Sequence, residues 1–247
     1  MNGNILLITR YGGWGDLVML LPTIKALRTK YAGYKVVLRT YKDYENFLKP
    51  SALIDQVVLD DNTFKLFPAE QGHTILNEKT SFGEAGDVVT HYNFQGTIEA
   101  RNDVHGVFAF AYHAGINLVW NGTYEHGLFT CYNFKPQSPS IVVQTREKGD
   151  GRDLTSKDLP YETLVKLGAF FINAPLPHED FVDLIANCRL FIGPDSSGLH
   201  IAAASSVPHI IGLYTDKFPP KIRSYAGVHA YTKVEELKPD IEKLLKS

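Results

Sequence analysis

Two short turns in this chain carry residues suited to catalysis. The first is Gly12-Gly13-Trp14-Gly15-Asp16 and the second is Gly193-Pro194-Asp195-Ser196-Ser197-Gly198-Leu199-His200. In the first, Gly12, Gly13 and Gly15 permit positive φ or a close approach of backbone to ligand, and a carboxylate follows at once. A carboxylate just past a strand can take the proton of a hydroxyl nucleophile. It can also cap the helix that follows, and the presence of the second turn favours the base. In that second turn Asp195, Ser196 and Ser197 are each able to cap a helix, while Gly198 and three alanines keep the helix thin. The backbone N–H groups of Ser197, Gly198 and Leu199 then sit at the positive end of a helix dipole, with the Ser196 and Ser197 hydroxyls as further donors. Such a site suits a phosphate or diphosphate. His200 falls in the same turn, placed either to bond phosphate or ribose or to pack as a structural residue.

Both turns need a strand before them and a helix after them. Residues 4–9 and 190–192 are apolar runs that read as buried parallel strands. After the first turn Leu17, Leu20, Leu21, Ile24, Leu27 and Tyr31 recur at helical spacing. Pro22 interrupts that pattern, so the helix is expected either to start near Val18 or to kink. Strands follow at 34–40 and 56–59, with a short helix at 41–48. Asp60-Asp61 reads as a strand-end turn rather than a metal-binding pair. Residues 61–85 are mixed in composition. A strand at 87–92 and an apolar helix at 105–115 come next, with a further strand at 128–132, and the polar, proline-broken stretch 135–140 is the linker candidate. A second series begins with a strand at 141–144 and a polar loop at 145–158. It continues with a helix at 161–167, a strand at 169–172, and a helix at 178–186 whose Phe181, Leu184 and Ile185 are expected to face inward. A strand at 208–214 and a terminal helix at 234–245, broken at Pro239, complete it. This rhythm predicts an α/β fold of two Rossmann-like domains facing across a cleft, 1–137 and 138–247.

Composition sets limits on the rest. Of 247 residues 44% are hydrophobic and 21% charged, ordinary for a soluble globular protein. The net charge of -2, with no basic block, argues against a nucleic-acid partner. No apolar run approaches the ~20 residues needed to cross a bilayer. The chain opens almost directly on its first strand, so no export signal is expected and a cytoplasmic setting is. Cys131 and Cys188 lie far apart and read as buried thiols. The histidines show no zinc-site spacing.

The segment 15–28, Gly-Asp, a hydrophobic run and Pro22, resembles the opening of the heptosyltransferase-like glycosyltransferases (family 9). Asp195 to Ala204 resembles that family's C-terminal signature, and Val207 to Asp216 its next strand with a Thr-Asp ending. The stretch from Asp87 to Gly96 is a weaker match. The resemblance implies the two-domain GT-B fold and transfer of a heptose or other hexose from a nucleotide-diphosphate donor to a glycan or lipopolysaccharide-type, lipid-linked acceptor. Membrane contact would then be peripheral, through the acceptor. It implies that Asp16 is the base and that the helix end and basic side chains hold the donor phosphates, with no metal or other cofactor required. Lys157, ahead of Asp158-Leu159-Pro160, looks like a family basic residue that precedes an aromatic-Pro pair. Two departures stand out. The chain is short for such an enzyme, which implies reduced acceptor-binding loops. The glycine turn usual in the second domain is replaced by the stretch from Gln144 to Arg152.

Among the basic residues of that stretch, Arg146 is expected beside Lys157 at the leaving group. Asn93, Gln95 and Glu99, with His91 and Tyr92, follow or close a strand that should end at the site, and are acceptor candidates by position. His105 and His113 fall on an apolar helix and read as structural. Two other readings compete. One is a non-catalytic nucleotide- or glycan-binding protein of the same fold. The other is an NADP-dependent oxidoreductase, since Gly13-Trp14-Gly15-Asp16-Leu17-Val18 nearly follows the dinucleotide fingerprint but has Val18 at the third glycine, and the second strand ends near Arg39 rather than an acidic residue.

Overall fold

The computed structural model describes residues 3–41, 53–60, 73–76, 88–101, 103–124, 139–149, 152–215 and 219–244. By contacts the chain divides into two units, Met1–Val119 and Trp120–Ser247. The expected 41–48 helix, 128–132 strand and most of the expected linker lie outside the described residues.

The first unit is built on β1 (Asn4–Thr9), α1 (Trp14–Lys30), β2 (Lys35–Tyr41), β3 (Gln56–Asp60), β4 (His73–Leu76) and β5 (Val88–Asn93), followed by the short α2 (Thr97–Ala100) and by α3 (Gly106–His113). Its sheet runs β3-β2-β1-β5-β4, parallel throughout except for β4, which pairs antiparallel with β5 at the edge. That edge strand falls in a region whose mixed composition showed no period. The centre is aliphatic: Ile5, Leu7, Val37 and Val89 form one cluster, with Val58 against it. α1 is continuous from Trp14, and Pro22 sits inside it rather than near its start. The missing proline N–H removes one intrahelical bond, but Leu17, Val18, Leu20, Leu21, Ile24 and Leu27 bury around it, and apolar burial outweighs one bond. A Cβ at Gly106 would lie 2.5 Å from Met19 Sδ, so α3 rests directly on α1 there.

The second unit comprises β6 (Ile141–Gln144), a 3-10 turn (Ser156–Asp158), α4 (Tyr161–Lys166), β7 (Phe170–Ile172), α5 (His178–Ala186), β8 (Leu190–Pro194), α6 (Ser197–Ala204), β9 (His209–Leu213), α7 (Pro220–Arg223), β10 (Val228–Tyr231) and α8 (Val234–Leu244). All five strands are parallel in the order β10-β9-β8-β6-β7. Ile141, Val143, Ile192, Ile211, Leu164, Leu237 and Ile241 share its core. On α5 the buried apolar positions are Val182 and Ile185, while Phe181 and Leu184 are half-buried. The inward stripe is therefore rotated from the expected one. α8 runs through Pro239 without a break.

In each sheet the chain reverses direction of growth beside its first strand. The reversal lies between β1 and β5 in the first unit and between β6 and β8 in the second. Ligands of open α/β sheets bind outside the carboxyl ends of strands at such points. Both candidate turns sit there.

Candidate functional site

Asp16 occupies the first turn of α1. Its Oδ2 accepts from the Gly13 N–H at 2.9 Å and from Arg10 Nη2 at 2.9 Å. Arg10, the residue after β1, is 1% exposed. Its Nη1 donates to the Phe94 carbonyl at 2.8 Å, and its guanidinium lies 5.5 Å from the centre of the Phe110 ring. A Cβ at Gly12 would overlap Asp16 Oδ2 and stand 2.8 Å from Arg10 Nε, so only glycine leaves room for this pair. Gly13 is the N-cap of α1 with φ -67°, and Gly15 is buried in the helix. Neither uses the left-handed region. Arg10 was not among the expected site residues. An Arg directly after an apolar strand and six residues ahead of an acid was the available signal.

The acceptor candidates turn mainly to the protein. Gln95 is buried, and with its amide oriented to suit both partners it donates to the Tyr11 carbonyl and accepts from the Tyr11 N–H. It thereby clamps the loop between Arg10 and Gly13. Asn93 Oδ1 accepts from the Gln95 N–H at 3.2 Å. His91 Nε2 lies 2.9 Å from Thr9 Oγ1, and the Tyr92 hydroxyl is 3.0 Å from that of Tyr31. Glu99 is on α2. His105 caps α3, its Nδ1 accepting from the Val107 N–H. Burial lowers the His113 pKa, partly opposed by a bond to the Asn93 backbone.

In the second unit β8 delivers Pro194, and Asp195 begins the turn with its N–H donating to the Leu213 carbonyl. Ser196 is the N-cap of α6, yet its hydroxyl makes no capping bond. It donates instead to Gln144 Oε1, at the end of β6, at 2.9 Å. The Leu199 and His200 N–H groups turn back to the Ser196 carbonyl. Among the described residues no acceptor meets the N–H of Ser197 or Gly198. A Cβ at Gly198 would overlap Gln144 Oε1 and lie 2.9 Å from Phe191 Cζ. Gln144, unnoticed in the sequence as a polar residue ending an apolar strand, thus shapes the turn.

Behind this turn the ring of His200 is buried. Its Nδ1 is 2.5 Å from the Tyr225 hydroxyl and its Nε2 is 3.8 Å from Asp195 Oδ1. Tyr225 packs against Trp120 and Tyr124, with ring centres 5.9 and 5.7 Å away. Burial, and then the neighbouring Tyr124, hold its phenol well above the ordinary range.

The basic loop is ordered by its own backbone. Arg146 and Leu154 pair antiparallel, and Asp153 Oδ1 accepts from the Lys148 and Gly149 N–H groups. Lys157 is exposed in the 3-10 turn capped by Thr155. Arg152 reaches the 195–196 turn, with Nη1 donating to the Asp195 carbonyl at 3.1 Å. Nothing in the sequence singles it out, because Arg146, Lys148, Arg152 and Lys157 are four similar charges in one loop.

A family model, glycosyltransferase family 9 (heptosyltransferase), matches residues 170–243. The segment includes the turn at Asp195 and all of α6. No curated protein matches the chain in sequence. Its fold matches the E. coli heptosyltransferase WaaC solved with ADP-2-deoxy-2-fluoro heptose, with a TM-score of 0.62 at 11% identity over 98% of each chain. It also matches a glycosyl transferase of family 9 from Veillonella parvula DSM 2008, with a TM-score of 0.59 at 10% identity over 98% of this chain and 92% of that one. A third match is the iron-containing dodecameric glycosyltransferase TibC from enterotoxigenic E. coli H10407, with a TM-score of 0.60 at 13% identity over 92% and 62%. The two α/β units therefore have the fold of the heptosyltransferases, and the family signature lies in the second of them. The class that these findings support is the nucleotide-sugar glycosyltransferases. Among the described residues no group of three or more His, Cys, Asp or Glu gathers in a way that could hold a metal ion, and no helix is long and apolar enough to cross a membrane.

Proposed function

We propose that this chain transfers a sugar from a nucleotide diphosphate to a hydroxyl acceptor, with Asp16 as general base and the start of α6 as the diphosphate site. The acceptor oxygen attacks the anomeric carbon while its proton passes to Asp16. The bond from that carbon to the β-phosphate oxygen breaks, and the nucleoside diphosphate departs with the electron pair. The Ser197 and Gly198 amides hold its charge, joined by Arg152, which donates to the Asp195 carbonyl, and by Arg146 and Lys157 of the same unit. Asp16 Oδ2 is engaged by Arg10 and Gly13, so Oδ1 is the oxygen that takes the proton. The observation that carries this reading is the diverted Ser196 hydroxyl, which leaves a helix of small residues uncapped at its positive end. The ADP and ADP-heptose analogues bound by WaaC favour an adenine nucleotide and a heptose-like sugar, with a glycan or lipopolysaccharide-type acceptor. No metal is assigned a step.

A donor screen by thermal shift tests it. At 100 times Kd a ligand adds about 2.7 kcal/mol, several degrees of Tm for a chain of this size. ADP-sugars should give the largest shift among UDP-, GDP-, ADP- and CMP-sugars. A shift with NADPH and none with any nucleotide diphosphate would refute the reading. One observation favours the non-catalytic alternative, since the Gly13 bond to Asp16 is also the geometry of a helix cap. Asp16→Asn separates the two. A base role requires turnover to fall by about 10²–10⁴-fold while nucleotide affinity stays the same.

A further inference from the structure

We propose that Arg10 is a positioning residue for the Asp16 carboxylate, an inference that rests on the glycosyltransferase reading above. A base exposed in a first helical turn has free rotation about its side-chain bonds, and misplacement by about 1 Å can lower a rate by about 10²-fold. Here that freedom is removed by one guanidinium. Nη2 fixes Asp16 Oδ2 at 2.9 Å, while Nη1 is anchored on the Phe94 carbonyl at the end of β5. The Phe110 ring on α3 lies 5.5 Å from it. The Arg10 backbone N–H donates to the Arg39 carbonyl in β2. Three strands and a helix thus set the position of one cation, and the cation sets the carboxylate.

The side chains differ in exposure in the way this role needs. Arg10 is 2% exposed at the pair and Asp16 25% exposed, so the anchor is dry while the carboxylate it steers is partly open to solvent. A planar fork with fixed donors can serve two acceptors at once, which a lysine cannot. Gly12 completes the device, because any Cβ there would strike both partners. A pair that served stability alone would gain nothing from leaving the carboxylate partly exposed.

The test compares Arg10→Met and Arg10→Lys with the wild-type chain in a transfer assay, using the donor that gives the largest thermal shift, and in nucleotide binding. A positioning role predicts that Arg10→Met loses about 10²-fold in kcat, with donor KM and ADP affinity within twofold. Arg10→Lys, which keeps one charged contact, should recover part of kcat and remain folded even where Arg10→Met does not. A kcat within threefold of wild type in the folded Arg10→Met protein, or in Arg10→Lys where only that variant folds, overturns the inference while the glycosyltransferase reading stands. Equal losses of kcat and ADP affinity, with no recovery in Arg10→Lys, also overturn it. A wild-type chain that transfers nothing from any nucleotide sugar removes the reading and the inference together.

Discussion

Replacing Gly198 with alanine should destabilise the protein, although the residue is helical. Alanine gains up to about 1 kcal/mol over glycine inside a helix, and φ at Gly198 requires no glycine. The added Cβ, however, overlaps Gln144 Oε1 and stands 2.9 Å from Phe191 Cζ and 3.1 Å from Gln144 Cδ. Gln144 can swing aside only by releasing the Ser196 hydroxyl, a loss of about 1 kcal/mol. Phe191 is fully buried in β8, and crowding it costs about 1–3 kcal/mol. The opposing terms leave a net loss of about 1–3 kcal/mol, with each kcal/mol lowering Tm by about 2–4 °C at this size. Calorimetry on Gly198→Ala, Gln144→Ala and the double variant checks the cause. Because Gln144→Ala removes the Gln144 atoms that the new methyl strikes and already gives up the Ser196 bond, leaving only the Phe191 contact, the double variant should be more stable than the sum of the singles by about 1 kcal/mol. A raised Tm in Gly198→Ala, or strict additivity in the double variant, would refute the packing argument. ADP should shift Gly198→Ala less than wild type, since the displaced turn carries the Ser197 and Gly198 amides proposed to hold the diphosphate.

Gly12→Ala places its methyl against Asp16 Oδ2 and Arg10 Nε. Turnover should fall by about 10²-fold with ADP affinity kept, read by initial rates and titration calorimetry. The Asp55 carboxyl is held below its usual value of 3.8, chiefly by the Arg28 side chain, then by the Val36 N–H and the Arg28 charge, while burial opposes. A lowered carboxyl contributes stability above its unfolded pKa and loses it as pH falls through the folded one. The stability gap between wild type and Asp55→Asn should therefore be present at neutral pH and close as pH falls below the usual carboxylate value of 3.8 and through the lowered folded one, and 1 M salt should shrink it, because both partners are partly exposed. Burial pushes the Cys188 thiol up to about 12. In a Cys131→Ser background it should resist a disulfide reagent at pH 8 until the chain is unfolded.

Local signals explain which parts of this structure were legible in the sequence. β1, β6 and α5 stand where periodicity puts them, because each is flanked by residues that stop it. β4 and β10 escaped notice for a shared reason: His73–Leu76 and Val228–Tyr231 are four-residue edge strands, and their pairing partners lie outside any local window. Pro22 and Pro239 were weighted as breakers, and both sit within continuous helices, α1 being held by tertiary burial. The rotated stripe of α5 has the same origin. At the candidate site the two turns were readable, since glycine spacing and an acid are local features. Gln144 and Arg10 were not, because their roles come from strand neighbours 52 and 84 residues away.

An anion seated on Ser197 and Gly198 does for α6 what a serine hydroxyl does for most helices. In the proposed reaction substrate and leaving group share that anion, so the turn would grip both alike. If the proposed transfer takes place there, product inhibition is expected: the spent nucleotide must be shed before the next cycle, and its escape, rather than bond breaking, becomes the slow event whenever it accumulates. Selecting for faster throughput would then mean loosening this grip, by restoring the hydroxyl to its usual capping duty.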